Sequence, residues 1–247
     1  MKFGLIGHPI EHSLSPALFK AGYNGLYQYD LIETPDFEDA YSIFLKEYDG
    51  INVTAPFKEL ALKKADIISE ECRLIGATNL LVKTPEGVKA CNSDYLGVRM
   101  WLAEVSKKMT SKPRVLIVGM GGAGKAAAAA AKSSGHETII MNRTQYSSDI
   151  QPLSSFCHEF RKADVIIYNL PVRIPQIDEL RDEDFETGNR KTILEANYRH
   201  PEFNIQHPDI SYVGGKEWLL LQAVTGYEIF TGKSPDCDAM KAVIKSK

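Results

Sequence analysis

The sequence predicts an α/β protein of two domains, one of them a Rossmann-like dinucleotide-binding domain. Three observations predict it. The stretch Arg114 to Thr144 reads strand, glycine turn, helix, strand. The first hundred residues repeat the order strand, helix, strand. The length, 247 residues, suffices for two small domains, each with its own core.

In the central stretch, Val115 to Val118 is an apolar run whose length suits a buried strand. Gly119, Gly121 and Gly124 follow as G-x-G-x-x-G, with Gly122 and Ala123 inside the turn. Ala126 to Ala131 then form a helix at almost no intrinsic cost. Gly135 stops that helix, and Thr138 to Met141 is the next strand. Glycines alone would serve tight packing of a helix on a sheet. Between a strand and a helix they also let the backbone approach a pyrophosphate, which free N–H groups at the helix N-terminus would hold.

The residues after Met141 bear on the cofactor. NAD sites place an acid there, against the ribose 2′-hydroxyl. Here Asn142, Arg143 and Thr144 occupy the position, and no acid occurs before Asp149. A carboxylate would repel a 2′-phosphate, whereas the Arg143 fork and two small polar side chains would hold it. NADP is therefore expected rather than NAD.

At the start of the chain, Lys2 to Ile6 is a strand, broken by Gly7-His8-Pro9-Ile10. Ser13 and Ser15 precede Pro16, which suits a first helical position. Either serine caps a helix, and two hydroxyls at a helix N-terminus also cradle a carboxylate. Ala17 to Tyr23 is helical in pattern and Tyr27 to Glu33 is a strand. Pro35 to Tyr48 is a helix, with Phe37, Ala40, Tyr41, Phe44 and Leu45 at helical period. Ile51 to Thr54 is a strand that runs into Ala55-Pro56-Phe57-Lys58 and a helix, Glu59 to Ala65. Lys58 reads either as a surface lysine or as a group at a strand's carboxyl end, where open α/β sheets bind ligands. Gly76-Ala77-Thr78-Asn79 leads into a hairpin, Leu80 to Lys83 and Val88 to Cys91. Asn92-Ser93-Asp94 comes next, with Asp94 suited to cap a helix through Leu96 to Glu104.

Composition narrows the classes. Apolar residues make up 44% and charged residues 25%, a globular balance, and the formal net charge is −3 without a long basic run. Nucleic acid and anionic membrane are not expected as partners. The start lacks a signal peptide's apolar core, and no apolar run is long enough to span a bilayer. Cys72, Cys91, Cys157 and Cys237 are scattered without a C-x-x-C pair, which fits reduced thiols in the cytoplasm better than disulfides or a zinc site.

Taken together, these segments resemble the shikimate dehydrogenase family, the NADP-dependent reductases of 3-dehydroshikimate in aromatic amino-acid (chorismate) biosynthesis. The resemblance rests on Gly7-His8-Pro9-Ile10, His12-Ser13-Leu14-Ser15-Pro16, Ile51-Asn52-Val53-Thr54-Ala55-Pro56-Phe57-Lys58, Gly76-Ala77-Thr78-Asn79 and Asn92-Ser93-Asp94. It continues through the glycine turn with Asn142-Arg143-Thr144, and Gly214-Gly215 followed by Gln222-Ala223. It implies an N-terminal α/β substrate-binding domain, residues 1–98 with 219–247. A Rossmann-like NADP-binding domain, residues 99–218, would be inserted, with the active-site cleft between them. Lys58 and Asp94 would be the catalytic pair. Ser13 and Ser15 would bind the substrate carboxylate, and Thr54, Asn79, Asn92, Tyr198 and Gln222 would line the pocket. Gly119, Gly121, Gly122, Ala123, Gly124 and Gly215 would hold the cofactor, with Asn142, Arg143 and Thr144 at its adenosine ribose and phosphate. A cytoplasmic monomer or homodimer acting on shikimate and 3-dehydroshikimate is implied. Ketone reduction needs hydride on carbon and a proton on oxygen; an ammonium beside the carbonyl polarises it and donates that proton, and a carboxylate aims the ammonium.

The second half departs from the family pattern. Only Gln145 to Lys162 precede the strand Ala163 to Asn169, where the family fits a helix, a strand and a further helix. Ser154 to Arg161 has room for one helix, so an abbreviated nucleotide domain is expected. Ser147 stands where the family often has a second Arg, leaving Arg143 alone, and Asn169-Leu170-Pro171-Val172 is a thinned polar loop. Glu195 replaces an aspartate ahead of Tyr198, which reads as a pocket wall or a core aromatic. Trp218 replaces Met, and Phe19 replaces His without a catalytic role. Ser211 to Val213 is a last strand, Glu217 to Phe230 a helix carrying Gln222, and Asp236 to Lys245 a final helix. These departures keep open an NAD-using quinate/shikimate dehydrogenase paralogue. A non-catalytic ligand sensor with the same fold is a third reading, which retention of both Lys58 and Asp94 disfavours.

Overall fold

A computed structural model describes residues 1–185 and 190–246. In chain order its elements are β1 (Lys2–Gly7), α1 (Ser15–Gly22), β2 (Gln28–Glu33), α2 (Phe37–Glu47), β3 (Gly50–Val53), α3 (Lys58–Lys63), β4 (Ile67–Ile68), α4 (Glu70–Ile75), β5 (Leu80–Thr84), β6 (Gly87–Cys91) and α5 (Ser93–Ser106). The chain continues with β7 (Val115–Val118), α6 (Gly122–Ser133), β8 (Thr138–Met141), β9 (Ile150–Gln151), α7 (Phe156–Lys162), β10 (Val165–Tyr168), β11 (Lys191–Glu195), β12 (Ile210–Val213), α8 (Gly215–Thr231) and α9 (Cys237–Lys245). It divides into two compact units, Met1–Gly97 with Leu220–Lys247, and Val98–Leu219. Among the described residues, no helix is long and apolar enough to cross a membrane.

In the first unit the sheet order is β2-β1-β3-β5-β6-β4. Strands β1, β2 and β3 are parallel, whereas β5 is antiparallel to both its neighbours, β3 and β6. The carboxyl ends of β1, β3 and β6 therefore share one edge of the sheet with the start of β5. Side-chain alternation sorts the residues between the two faces. Ile6, Ile32, Ile51 and Val53 pack with Phe37 and Phe44 of α2. On the opposite face, Phe3 stacks on Phe230 and tilts against Phe19. Asp36 starts α2 by accepting the Asp39 N–H at 3.0 Å. Phe19 is fully buried in this aromatic cluster, which accounts for an apolar residue there.

In the second unit all strands are parallel, in the order β12-β11-β10-β7-β8-β9. That is the doubly wound arrangement, with the strand order reversing between β7 and β10. The alanines of α6 bury the helix, Ala126, Ala127, Ala130 and Ala131 being fully covered. The abbreviation falls in a particular place. A third strand, β9, is present, pairing Ile150 and Gln151 with Ile140 and Met141. What is missing is a crossover helix: residues 142–149 make the link without one. Asn142 N–H to the Gln151 carbonyl and an ion pair of Lys132 with Asp149 at 3.3 Å tie this short link down. The elements β4 and α4 are likewise additions to the sequence-based expectation.

Lys191 at the start of β11 is fully buried. Its ammonium donates to the carbonyls of Phe160, Arg161 and Ala163 at 2.8, 3.0 and 2.7 Å, closing the C-terminal end of α7. Burial pushes its pKa down to about 8, against the pull of Asp164 and Asp184. A lysine of lowered pKa binds fewer protons folded than unfolded, so its contribution to stability rises with pH from about 8 towards the unfolded value near 10. Thermal melts of wild type and Lys191→Met are expected to diverge across this window, the wild type gaining relative to the variant between about pH 7.5 and 9.5. A pH-independent difference would contradict the lowered pKa of Lys191.

Candidate active site

The edge shared by β1, β3, β6 and the start of β5 gathers the first group of candidate residues. Lys58 opens α3, directly after the turn that ends β3, and Asp94 is the second residue of α5, directly after β6. Lys58 Nζ donates to Asp94 Oδ2 at 2.6 Å, with side chains 22% and 16% exposed. This charge-assisted contact reaches solvent without being dissolved in it. Backbone bonds fix the pair's frame: Thr78 N–H to the Lys58 carbonyl at 3.1 Å, Val53 N–H to the Asn79 carbonyl at 2.8 Å, and His8 N–H to the Ala55 carbonyl at 3.2 Å. Among the described residues Asp94 is the partner of the Lys58 ammonium, which leaves two of its three N–H donors for water or a ligand.

The neighbouring polar groups form a chain. Asn79 Oδ1 accepts the Ser93 N–H at 2.7 Å, and its Nδ2 donates to Ser93 Oγ at 3.0 Å. Ser93 Oγ in turn reaches Gln222 Oε1 on α8 at 3.2 Å. Thr54 lies half-buried at the same edge. Ser13 Oγ accepts the Ser15 N–H at 3.2 Å at the start of α1, so Ser13 bonds the helix's first N–H while Ser15 is its first residue. Tyr227 Oη donates to the Ser15 carbonyl at 3.0 Å, and Tyr29 Oη to Asn52 Oδ1 at 2.8 Å.

The structure corrects one expectation. Asp94 does not cap α5; Asn92 does, its Oδ1 accepting the Tyr95 N–H at 3.0 Å. Asn92 is 2% exposed, and its Nδ2 donates to the Ala77 carbonyl. Being released from the cap is what leaves Asp94 available to Lys58. Ser93, Tyr29 and Tyr227 were not singled out from the sequence. Ser93 had a signal in standing between Asn92 and Asp94; the two tyrosines had none.

The second group of candidates lies in the other unit. Gly119 takes φ of +94°, turning the chain as β7 ends. A Cβ built on Gly124 would lie 1.9 Å from the Gly119 carbonyl oxygen, whereas one on Gly121 would meet nothing within 4 Å. Gly124 is thus demanded by packing, and Gly121 opens onto free space. The N-terminus of α6 has no side-chain cap, so the N–H groups around Gly122 and Ala123 are available to an anion. These features fit a dinucleotide pyrophosphate.

Asn142 Oδ1 accepts the Met120 N–H at 3.2 Å and its Nδ2 donates to the Thr144 carbonyl at 2.9 Å, lashing the loop after β8 to the glycine turn. Arg143 and Thr144 are exposed beside it, and Arg143 makes no ion pair with a described residue. The first acid, Asp149, is engaged by Lys132 and the Ser147 hydroxyl. Gly215 is buried, and a Cβ there would lie 2.5 Å from the Ala196 carbonyl oxygen and 2.8 Å from Tyr198 N. Packing against this backbone demands a glycine at the position. Tyr198 is half-buried under Arg199 at 5.7 Å, outside the core, while Trp218 is buried.

A family model described as the shikimate dehydrogenase substrate binding domain matches residues 5–81. Over 98% of this chain and 92% of its own length, the shikimate dehydrogenase (NADP(+)) of Syntrophobacter fumaroxidans is 33% identical. The corresponding protein of Methanococcus maripaludis is 30% identical over 99% of this chain and 96% of its own. The chain belongs to the shikimate dehydrogenase family. Shikimate 5-dehydrogenase of Thermus thermophilus, solved in complex with shikimate, superposes with a TM-score of 0.81 over 100% of this chain and 98% of its own, at 23% identity, and shares the fold. This family member carries its ion pair in the first unit and its glycine turn in the second.

Gly124→Ala is expected to lower the unfolding midpoint by more than about 5 °C, because backbone atoms would have to move apart. Gly121→Ala should stay within about 3 °C of wild type. Equal losses in a thermal melt would contradict the division between packing and opening.

Proposed function

We propose that this protein catalyses the NADPH-dependent, reversible reduction of 3-dehydroshikimate to shikimate in aromatic amino-acid biosynthesis. The observation that carries the proposal is the half-buried contact of Lys58 with Asp94 at the ligand-binding edge of the first sheet. Family membership and the NADP(+) named for both relatives support it. The chemistry that NADPH supplies when bound is hydride delivery to the carbonyl carbon. The Lys58 ammonium hydrogen-bonds the carbonyl oxygen, polarises it, and gives it a proton as the C–O single bond forms. Asp94 holds that ammonium in place and accepts from a neighbouring ring hydroxyl. In the reverse direction neutral Lys58 takes the alcohol proton. Ser13 and Ser15 present hydroxyls to the substrate carboxylate at the start of α1, with Thr54, Asn79, Gln222 and Tyr198 around the ring. The glycine turn and the first N–H groups of α6 hold the pyrophosphate, and Arg143 with Thr144 the 2′-phosphate. The reading implies a cytoplasmic enzyme, monomeric or homodimeric, with residues 1–98 and 219–247 binding substrate and 99–218 binding NADP.

A second reading, an NAD-using quinate/shikimate dehydrogenase, has one observation behind it. Ser147 is bonded to Asp149, so Arg143 stands alone at the phosphate position.

The experiment is nicotinamide absorbance on mixing the protein with shikimate, offering NADP and NAD in parallel. Reduction of NADP alone is expected; preference for NAD or for quinate would favour the second reading. Lys58→Ala should lower kcat by about 10²- to 10⁴-fold while shikimate still binds. Unchanged turnover would overturn the mechanism. Arg143→Ala should raise KM for NADP by about tenfold or more and leave NAD turnover unmoved; equal losses with both cofactors would remove Arg143 from the phosphate site.

A further inference from the structure

A carboxylate at the carboxyl end of a strand in a doubly wound sheet stands where such folds keep ligand-binding groups. Glu195 ends β11 in that position, yet it is fully buried. Its oxygens face three donors. Oε1 accepts the Glu202 N–H, and Oε2 accepts the Phe203 N–H at 3.2 Å and the Tyr212 hydroxyl of β12. Burial and the carboxylate together push the Tyr212 phenol well above its ordinary value, in keeping with a hydroxyl that stays a donor.

The loop from Ala196 to Phe203 is thereby closed on itself at its base. The same Glu202–Phe203 peptides are gripped from the opposite side. Arg173 Nη1 donates to both of their carbonyls at 2.8 Å, while Asp178 holds the rest of the guanidinium at 2.6 and 2.9 Å. Phe203 is fully buried against Phe160 and Tyr168. At the other end of the loop, Ala196 N–H bonds the Tyr168 carbonyl at 2.8 Å and Gly215 presses on the backbone of Ala196 and Tyr198. Between these fixed points Asn197 Oδ1 collects the N–H groups of Arg199 and His200 at 3.2 and 3.1 Å. Tyr198 sits in that turn.

We infer that Glu195 is a positioning residue: with Tyr212 it latches the loop that carries Tyr198 and so sets where Tyr198 meets the substrate. The inference rests on the proposed role of Tyr198 at the substrate ring. Glu195 itself touches no reactant. Removing one acceptor frees one side of the latch without emptying the core, because glutamine has the same shape as glutamate.

The test is a double-mutant cycle, read as KM for shikimate, kcat and the dissociation constant of shikimate by calorimetry. Tyr198→Phe is expected to raise KM by up to about tenfold, the upper worth of one hydrogen bond between uncharged groups. Glu195→Gln should raise KM by a similar factor, with kcat within about threefold, and should add less than about twofold when Tyr198 is already Phe. Tyr212→Phe, the milder variant should Glu195→Gln fold poorly, should raise KM by about threefold and likewise lose its effect in the Tyr198→Phe background. Effects of Glu195→Gln and Tyr212→Phe that persist at full size in that background would overturn the inference, since they would then act through general destabilisation. A Tyr198→Phe variant with unchanged KM would remove Tyr198 from the substrate site and the inference with it, leaving the Lys58 and Asp94 chemistry untouched.

Discussion

An ammonium and a carboxylate held 2.6 Å apart, each less than a quarter exposed, constrain everything around them. Either charge left alone at that depth would be costly, because its partner's removal uncovers the desolvation both have undergone. The backbone must therefore present them together. The first sheet does this through one reversed strand. Because β5 runs against β3 and β6, residues from both of those parallel strands leave the sheet at the same edge. The hairpin between Leu80 and Cys91 is thus the reason Lys58 and Asp94, thirty-six residues apart in sequence, are neighbours in space.

Polar residues at that edge divide between those that build it and those that face outward. Asn92 is spent on backbone groups, and its burial keeps the edge rigid. Fixed side chains behind the ion pair confine it to one geometry. Tyr227 fulfils the same office for the start of α1 by bonding the Ser15 carbonyl. The second unit uses charge for this purpose, Lys191 closing a helix end and Glu195 a loop.

Much of this was legible in the sequence where local physics and tertiary demand agree. The glycine turn, the alanine helix and the hairpin through Thr84 to Gly87 each carry a signal that does not depend on neighbours. Short elements escaped: Ile67–Ile68 and Ile150–Gln151 are two-residue strands, too brief to show a period, and exist because an adjacent strand offers hydrogen bonds. Capping misled by two positions, since Asn92 and Asp94 are equally good caps and only the fold decides which begins the helix. Lys191 and Glu195 were opaque for a different reason. Charged residues are ordinarily exposed, and nothing local marks the one whose partners are distant carbonyls or N–H groups.

The abrupt link between β8 and β9 also bears on how this protein behaves in company. A strand at the rim of a sheet offers unpaired N–H and C=O groups to any passing chain, and a crossover helix is one way to cover such a rim. Here that helix is absent, and the rim strand is cut to Ile150 and Gln151, with Pro152 directly behind. Two residues and a proline give an intruding strand almost nothing to pair with. The shortened segment thus blunts its own exposed border, and the sheet loses a covering helix without gaining a template for aggregation.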